Sequence, residues 1–565
     1  MADWSTHTVF NQVDEPTGIN LLTADPALAE ALRRAGADWA LPTLTQYAAR
    51  LGDAATWRLA EEANRHLPEL HSFDARGRRI DQVEFHPSWH ALLEMYRGQG
   101  LVGLPFADAR PGRWAAWAAG FYLHGQVEQG TLCPATMTTA SIPVLQKEPA
   151  LWAQLQAPLY SNDYDARDLP LAHKKSIWLG MGMTEKQGGS DVRANTTVAT
   201  PLQSGSGAGG RGGEYLLRGH KWFFSAPMCD AHLVVARTGE GGPFACFFVP
   251  RWRPDGSKNA VNIQRLKDKV GNRSNSSSEV EFQDAWGVLM GEEGRGIPTI
   301  IEMATYTRLN CVLGSAAILR QALVQALAYA RQRLVFGRHL AEQPLMRAVL
   351  ADLALESEAA LVLALRLAQA FEDAEGPAPD PLARAWQRLM TPAAKLWVCK
   401  RAVAQAGEAL EVLGGNGYVE ESSLARLYRE APVNSVWEGS GNVMALDLLR
   451  ALGREREAAQ RLWDDLAEGC GDEPRLRAAL HALAPAWQGP TDAAEGQARQ
   501  ITQRLVRLAQ AVLLRRHAPA AAAEGFIATR FGPDTGGIFG ALDPAALDVD
   551  ALLARALPET PADGH

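Results

Sequence analysis

Three stretches of this chain bring together side chains that can do chemistry. Residues 183–192 read Met-Thr-Glu-Lys-Gln-Gly-Gly-Ser-Asp-Val, with hydroxyls at Thr184 and Ser190 among glycines, and residues 221–225 read Lys-Trp-Phe-Phe-Ser. Thr184, Ser190 and Ser225 can donate hydrogen bonds to the polar edge of a flat conjugated ring, while Trp222 and Phe223 can wall its face. The third stretch, 435–442, reads Ser-Val-Trp-Glu-Gly-Ser-Gly-Asn and sets Glu438 ahead of a glycine. A carboxylate removes a weakly acidic proton from carbon when it is held in place and partly desolvated, so that its pKa rises toward the working pH. Taken singly, the first stretch also reads as a Gly/Ser turn and the third as a solvated glutamate before one.

These residues must be positioned by a chain of 565 residues, too long for one core and expected to form three or four units. Apolar positions recur at helical spacing from about residue 25 to 180, as in Trp114-Ala-Ala-Trp-Ala-Ala-Gly-Phe-Tyr122. From 181 to 290 the pattern changes to short β-rich runs between Gly and Pro, such as His232-Leu-Val-Val-Ala-Arg237 and Ala245-Cys-Phe-Phe-Val-Pro250. Helical periodicity returns from about 295 to 450, interrupted at Glu372-Asp-Ala-Glu-Gly-Pro-Ala-Pro-Asp-Pro381, and persists in the alanine-rich 451–565, which ends in a polar tail expected to be disordered. The expected domains are therefore 1–180, 181–290, 291–450 and 451–565.

Composition excludes several classes. No apolar run approaches the roughly 18 residues of a membrane span and the N-terminus lacks a signal-peptide pattern, so the chain is expected in the cytoplasm without a membrane partner. Cys133, Cys229, Cys246, Cys311, Cys399 and Cys470 are widely spaced, with no C-x-x-C pair, and read as buried thiols rather than a disulfide framework or zinc site. A net charge of −8 gives no global attraction to nucleic acid. Gly205-x-Gly-x-x-Gly210 fits the dinucleotide fingerprint formally but runs into a strand instead of opening a helix, so it reads as a hairpin loop. His86 and His90 could share a helical face without a third metal ligand, and Asn195 and Asn272 are formal glycosylation acceptors.

The order helical, β, helical, together with the three stretches above, resembles the acyl-CoA dehydrogenases from about residue 60 to 450. The opening Trp4-Ser-Thr-His-Thr-Val-Phe-Asn-Gln12, the run from Gly180 to Val192 and Leu266-Lys-Asp-Lys-Val-Gly-Asn-Arg-Ser-Asn275 resemble the AidB type within that family, flavoproteins of the bacterial adaptive response to DNA alkylation. The resemblance implies a mainly helical α+β fold: an N-terminal helical domain, a middle antiparallel β domain, a C-terminal four-helix bundle and an extra C-terminal helical domain. It implies FAD, held by Met183, Thr184, Gly189, Ser190, Trp222, Phe223 and Ser225, with Trp437, Ser440 and Asn442 meeting the flavin and Glu438 as catalytic base. Where some branches carry that base before an arginine in a middle helix, this chain has Thr307 before Arg308. Arg333 and Phe336, and Gly414 with Gly415, match groups that in the family reach the FAD of a neighbouring subunit, which implies a homotetramer.

Two departures from the family pattern stand out. Lys186 replaces a common proline, which sets a cation near the flavin or pocket mouth and puts ordinary acyl-CoA binding in question. Gln343 lies one position short of the usual glutamine after Phe-Gly. The AidB resemblance further implies sequence-independent binding of double-stranded DNA by the C-terminal region. Residues 451–565 hold 12 arginines, no lysine and 16 acidic residues, so any contact must be a local patch. The expected patch is Arg450, Arg454, Arg499, Arg504, Arg507, Arg515, Arg516 and Arg530; a solvated helix face is the alternative for each. The alternative for the whole is a metabolic acyl-CoA dehydrogenase whose C-terminal domain serves assembly.

Overall fold

In the computed structural model, which describes residues 5–203, 209–487, 492–532 and 537–558, the region read as helical also holds an antiparallel hairpin, β1 (Glu69–Phe73) and β2 (Arg79–Glu84). Its turn is set by Gly77 at φ 76° and by Asp74, whose carboxylate accepts from the backbone of Arg76 and Arg78. Both strands are short, partly exposed and mix polar with apolar side chains, so they lack the clean apolar alternation by which a half-buried strand is recognised.

The β-rich run forms a seven-stranded sheet that closes on itself. Its strands are β3 (Leu179–Gly182), β4 (Val198–Pro201), β5 (Glu214–Phe224), β6 (Ala231–Thr238), β7 (Phe244–Pro250), β8 (Val261–Leu266) and β9 (Ser278–Met290). Strand β5 pairs along β9, β9 passes to β7, β7 pairs β6, and β6 returns through β4 to β5. The domain is antiparallel except where β3 and β4 run parallel to successive parts of β6. Strand β6 is buried on both faces, which explains its unbroken apolar run His-Leu-Val-Val-Ala. Tyr215, Leu217, Phe224, Phe247, Val280, Phe282 and Leu289 fill the interior.

Contacts divide the chain into two units, each discontinuous in sequence: residues 1–54 with 312–435 and 444–565, and residues 55–311 with 436–443. The four consecutive spans expected from sequence follow changes in periodicity, whereas compactness follows which faces pack. Helix Gly296–Gln332 begins in one unit and ends in the other. It is long and apolar enough by composition to cross a bilayer, and that stretch is wholly buried within the protein.

In the unit that contains both chain termini, Pro344–Glu375 packs against Thr391–Val412, against Ala498–His517 and against Pro26–Arg34. Helix Val549–Ala556, close to the end of the chain, is fastened there. Arg320 donates to the carbonyl of Ala556 at 2.6 Å, Arg331 to that of Leu557 at 2.7 Å, and Arg555 bridges Glu30 at 2.7 Å and Glu358 at 2.9 Å. The C-terminal helices thus belong to one unit with the bundle instead of forming a domain of their own. The polar tail from 559 onward and Gly205 and Gly207 of the glycine-rich run lie outside the described residues. All six cysteines are buried thiols outside any disulfide.

Candidate active site

The motif at 183–192 follows β3 as a loop, and one buried residue organises it. Glu185 accepts from the Lys221 ammonium at 2.7 Å, the backbone N–H of Thr196 at 2.7 Å and of Thr197 at 3.2 Å, and the Gln187 amide at 2.8 Å. Glu185 and Lys221 have no exposed side-chain surface, and Lys221 also donates to the Val235 carbonyl at 2.9 Å. Burial alone would raise the Glu185 pKa, but the Lys221 charge and these hydrogen bonds hold the carboxyl down at about 2. Its contribution to stability is therefore complete above its ordinary value near 4.5 and is lost as pH falls through about 2.

With the loop held to β5, the Trp222 N–H donates to the Thr184 carbonyl at 2.9 Å, so the two predicted flavin segments lie side by side. The hydroxyls of Thr184 and Ser190 have no partner among the described residues, and Phe223 is half exposed. Ser225 stands 3.5 Å from Ser277 across the sheet. Met183 is fixed by Asn195, whose amide donates to its carbonyl at 2.6 Å. Asn195, like Asn272, is buried, which removes both from any glycosylation role. Open hydroxyl donors beside an exposed aromatic face fit a flavin's polar edge and flat ring.

Lys186 lies over the Trp222 ring at 5.7 Å, and its backbone N–H donates to His220 at 3.0 Å. It shares that ring with Lys267, which sits 3.7 Å from the Trp222 centroid and 4.4 Å from that of Phe223 while paired to Glu279 at 2.8 Å. No local pattern marks Lys267 for this position, because its approach depends on the pairing of β8 with β9.

Glu438 occupies the left-handed backbone region at φ 58°, a strained conformation for a residue with a side chain, and Gly439 follows at φ 100°. Thr307 donates its hydroxyl to Glu438 Oε2 at 2.6 Å, and the Arg308 guanidinium donates to the Glu438 carbonyl at 3.1 Å. The pair that lacks a carboxylate of its own thus aims the one that exists. Ser440 and Asn442 follow with polar groups that have no partner among the described residues, and Trp437 is half-buried beside Glu438 in the chain.

The remaining predicted flavin residues lie in the other unit. Arg333 donates to the Asn11 carbonyl, Asn11 exchanges two 2.8 Å hydrogen bonds with the Leu334 backbone, and Asn416 donates to Gln12 at 3.3 Å. The N-terminal segment therefore touches both the Arg333 turn and the glycine turn at Gly414 and Gly415. Gly414 has φ 60°, and neither glycine has a neighbour where a side chain would project. Phe336 is fully exposed at φ 50°. Gln343 donates to the Val335 carbonyl at 3.0 Å and so supports this turn from its shifted position.

The arginines expected to bind DNA separate into distinct groups. Arg450, Arg454, Arg499 and Arg504 are exposed, with no ion pair among the described residues. Arg515 and Arg516 are exposed but engaged: Arg515 caps the Cys470 carbonyl, and Arg516 pairs with Asp465 at 2.9 Å. Arg530 is withdrawn from the surface between Asp352 at 2.5 Å and Glu356 at 3.2 Å, and Arg507 is largely desolvated. Those two do not belong to a surface patch; acids some 170 positions earlier, invisible to local spacing, draw Arg530 inward. His90 is bonded to Tyr164 at 2.6 Å and His86 is stacked on His66.

Three family models match successive spans of the chain: the adaptive response protein AidB N-terminal domain over residues 11–166, the acyl-CoA dehydrogenase middle domain over 180–285 and the acyl-CoA dehydrogenase C-terminal domain over 294–453. The chain is 48% identical to AidB of Escherichia coli (strain K12) over 507 residues, 89% of this chain and 91% of that one. It is 29% identical to acyl-CoA dehydrogenase family member 11 of Caenorhabditis elegans, over 78% of this chain and 72% of that one. The solved structure of C. elegans ACDH-11 in complex with C11-CoA superposes with a TM-score of 0.81 at 25% identity, covering 98% of this chain and 94% of that one.

Replacing Lys221 by methionine leaves Glu185 buried without its cation. Chemical denaturation is expected to show a loss of about 3–5 kcal/mol, with weakened flavin retention, and the added change Glu185→Gln is expected to recover much of the stability.

Proposed function

Because this chain belongs to the AidB type of the acyl-CoA dehydrogenase family, with FAD as its cofactor, we propose that it dehydrogenates acyl-CoA thioesters weakly and binds double-stranded DNA nonspecifically in the response to alkylation damage. The observation that carries the catalytic part is the hydrogen bond from Thr307 to Glu438 Oε2. It restrains the carboxylate that would take the α proton of the thioester. Arg308 pins the carbonyl of the same residue, so that backbone and side chain are both fixed before substrate arrives. By resemblance to the family, the Glu438 backbone N–H donates to the thioester oxygen as enolate charge develops. The cofactor, when bound, supplies the acceptor for the hydride that leaves the β carbon. Lys186 and Lys267 add positive charge at the Trp222 face, where a phosphate-bearing partner would be favoured.

For DNA, exposed Arg450, Arg454, Arg499 and Arg504 support backbone contacts that read no bases. The fully exposed Phe336, with Phe10, Leu345 and Tyr418 also exposed in the same unit, supports assembly as a homotetramer. The second reading, a dehydrogenase whose C-terminal helices serve only the fold, is favoured by the internal engagement of Arg515 and Arg516.

Purified protein is expected to be yellow, and acyl-CoA to bleach it slowly. Glu438→Gln should keep the colour and lose bleaching. Thr307→Val should slow bleaching by about tenfold and move the acid limb of its pH profile upward, since losing a donor to the ionised carboxylate raises its pKa. An unchanged rate and profile in Thr307→Val would remove Thr307 from this role.

Charge reversal at Arg450 and Arg454 together with Arg499 and Arg504 should weaken DNA binding and reduce its dependence on salt, each lost phosphate contact lowering the slope by about one. Binding that survives all four changes would move the DNA contact away from these arginines, and absence of salt-dependent binding by the unaltered protein would favour the assembly-only reading.

A further inference from the structure

A cavity of about 430 Å³ opens among the C-terminal helices, lined by Asp352, Glu356, Trp397, Arg401, Arg507 and Arg530 among others. Its charges do not balance. Arg530 takes Asp352 at 2.5 Å and Glu356 at 3.2 Å, and Arg401 reaches Glu356 at 3.2 Å, so both carboxylates are already engaged. Arg507 lines the same space with no acid of its own among the described residues. Its one contact with an aromatic ring is a 5.5 Å approach to Phe531. Burial, with Arg530 nearby, pushes its pKa down to about 10. A desolvated guanidinium without a counter-ion is costly to keep and is normally matched by an anion.

The hydrogen-bond inventory points the same way. Arg507 Nε, Arg401 Nε and the Trp397 indole N–H are all buried, and none has a hydrogen-bond acceptor among the described residues. The Arg401 Nε lies near Glu356 without the alignment of a hydrogen bond. Three residues that line a space larger than an inorganic ion thus each carry a donor without an acceptor, together with one surplus positive charge. We propose that this cavity binds a small organic oxyanion, a carboxylate or a phosphate monoester, seated on Arg507 with Arg401 and Trp397 completing its donors. Being recessed and small, it is a site for a free ligand and is separate from the DNA surface and from the Glu438 chemistry. It rests on neither.

Calorimetric titration of the flavin-loaded protein with inorganic phosphate and, separately, with benzoate tests this and distinguishes the two anion classes. Saturable binding of at least one, with a Kd on the order of 1 mM, is expected. Arg507→Gln should weaken it by about tenfold or more. Gln503→Glu, a change at an exposed lining residue that should leave folding intact, should weaken it similarly by adding a competing carboxylate. Affinity for double-stranded DNA should be unchanged in both variants.

Absence of saturable binding, or binding retained in both variants, overturns the proposal. A parallel loss of DNA affinity in Arg507→Gln would return that residue to the DNA surface and likewise overturn it.

Discussion

The buried contact between Glu185 and Lys221 is the constraint on which the site depends. It joins a loop that follows a short parallel strand to the middle of the longest antiparallel pairing in the sheet, and the loop has few apolar side chains with which to hold itself. A carboxylate with several donors and an ammonium with a second acceptor satisfy each other away from water, where a lone charge would be expelled. Thr184 and Trp222 come into register as a result, and the placement of the aromatic face and the open hydroxyls follows from that register. Lys186, next in the chain, is free to turn outward because Glu185 turns in.

At Glu438 a different kind of strain is held in place. A left-handed glutamate persists only when its surroundings leave it little choice, and here a threonine hydroxyl and an arginine reach it from a helix that begins more than a hundred residues earlier. The same stretch, Thr307-Arg308, would house the base in other branches of the family. In this chain it supports Glu438 through two hydrogen bonds.

What could be read from sequence was what is local. The strands of the middle region are each encoded within about ten residues and lie in the sheet as expected, and the two segments read as flavin-binding lie side by side. The hairpin at 69–84 escapes a reading by period because its short strands mix polar and apolar side chains without clean alternation. Arg507 reads as a surface group because it lies in a run of arginines without intervening acids, and Arg530 because Asp352 and Glu356, which draw it inward, lie on another helix. Thr307 was identified only by what it lacks, since its partner is 131 positions away.

Arg555 grips Glu30 across 525 positions of chain, and this has a consequence for how the protein is made. Helix Pro26–Arg34 leaves the ribosome among the first elements, yet the unit it belongs to is completed only by the helix that leaves among the last. The intervening residues 55–311 belong to the other unit and can begin to fold meanwhile. The apolar face of Pro26–Arg34 waits about 300 residues for Pro344–Glu375, and Glu30 waits longer still for Arg555, so this unit should be the slow and aggregation-exposed part of folding.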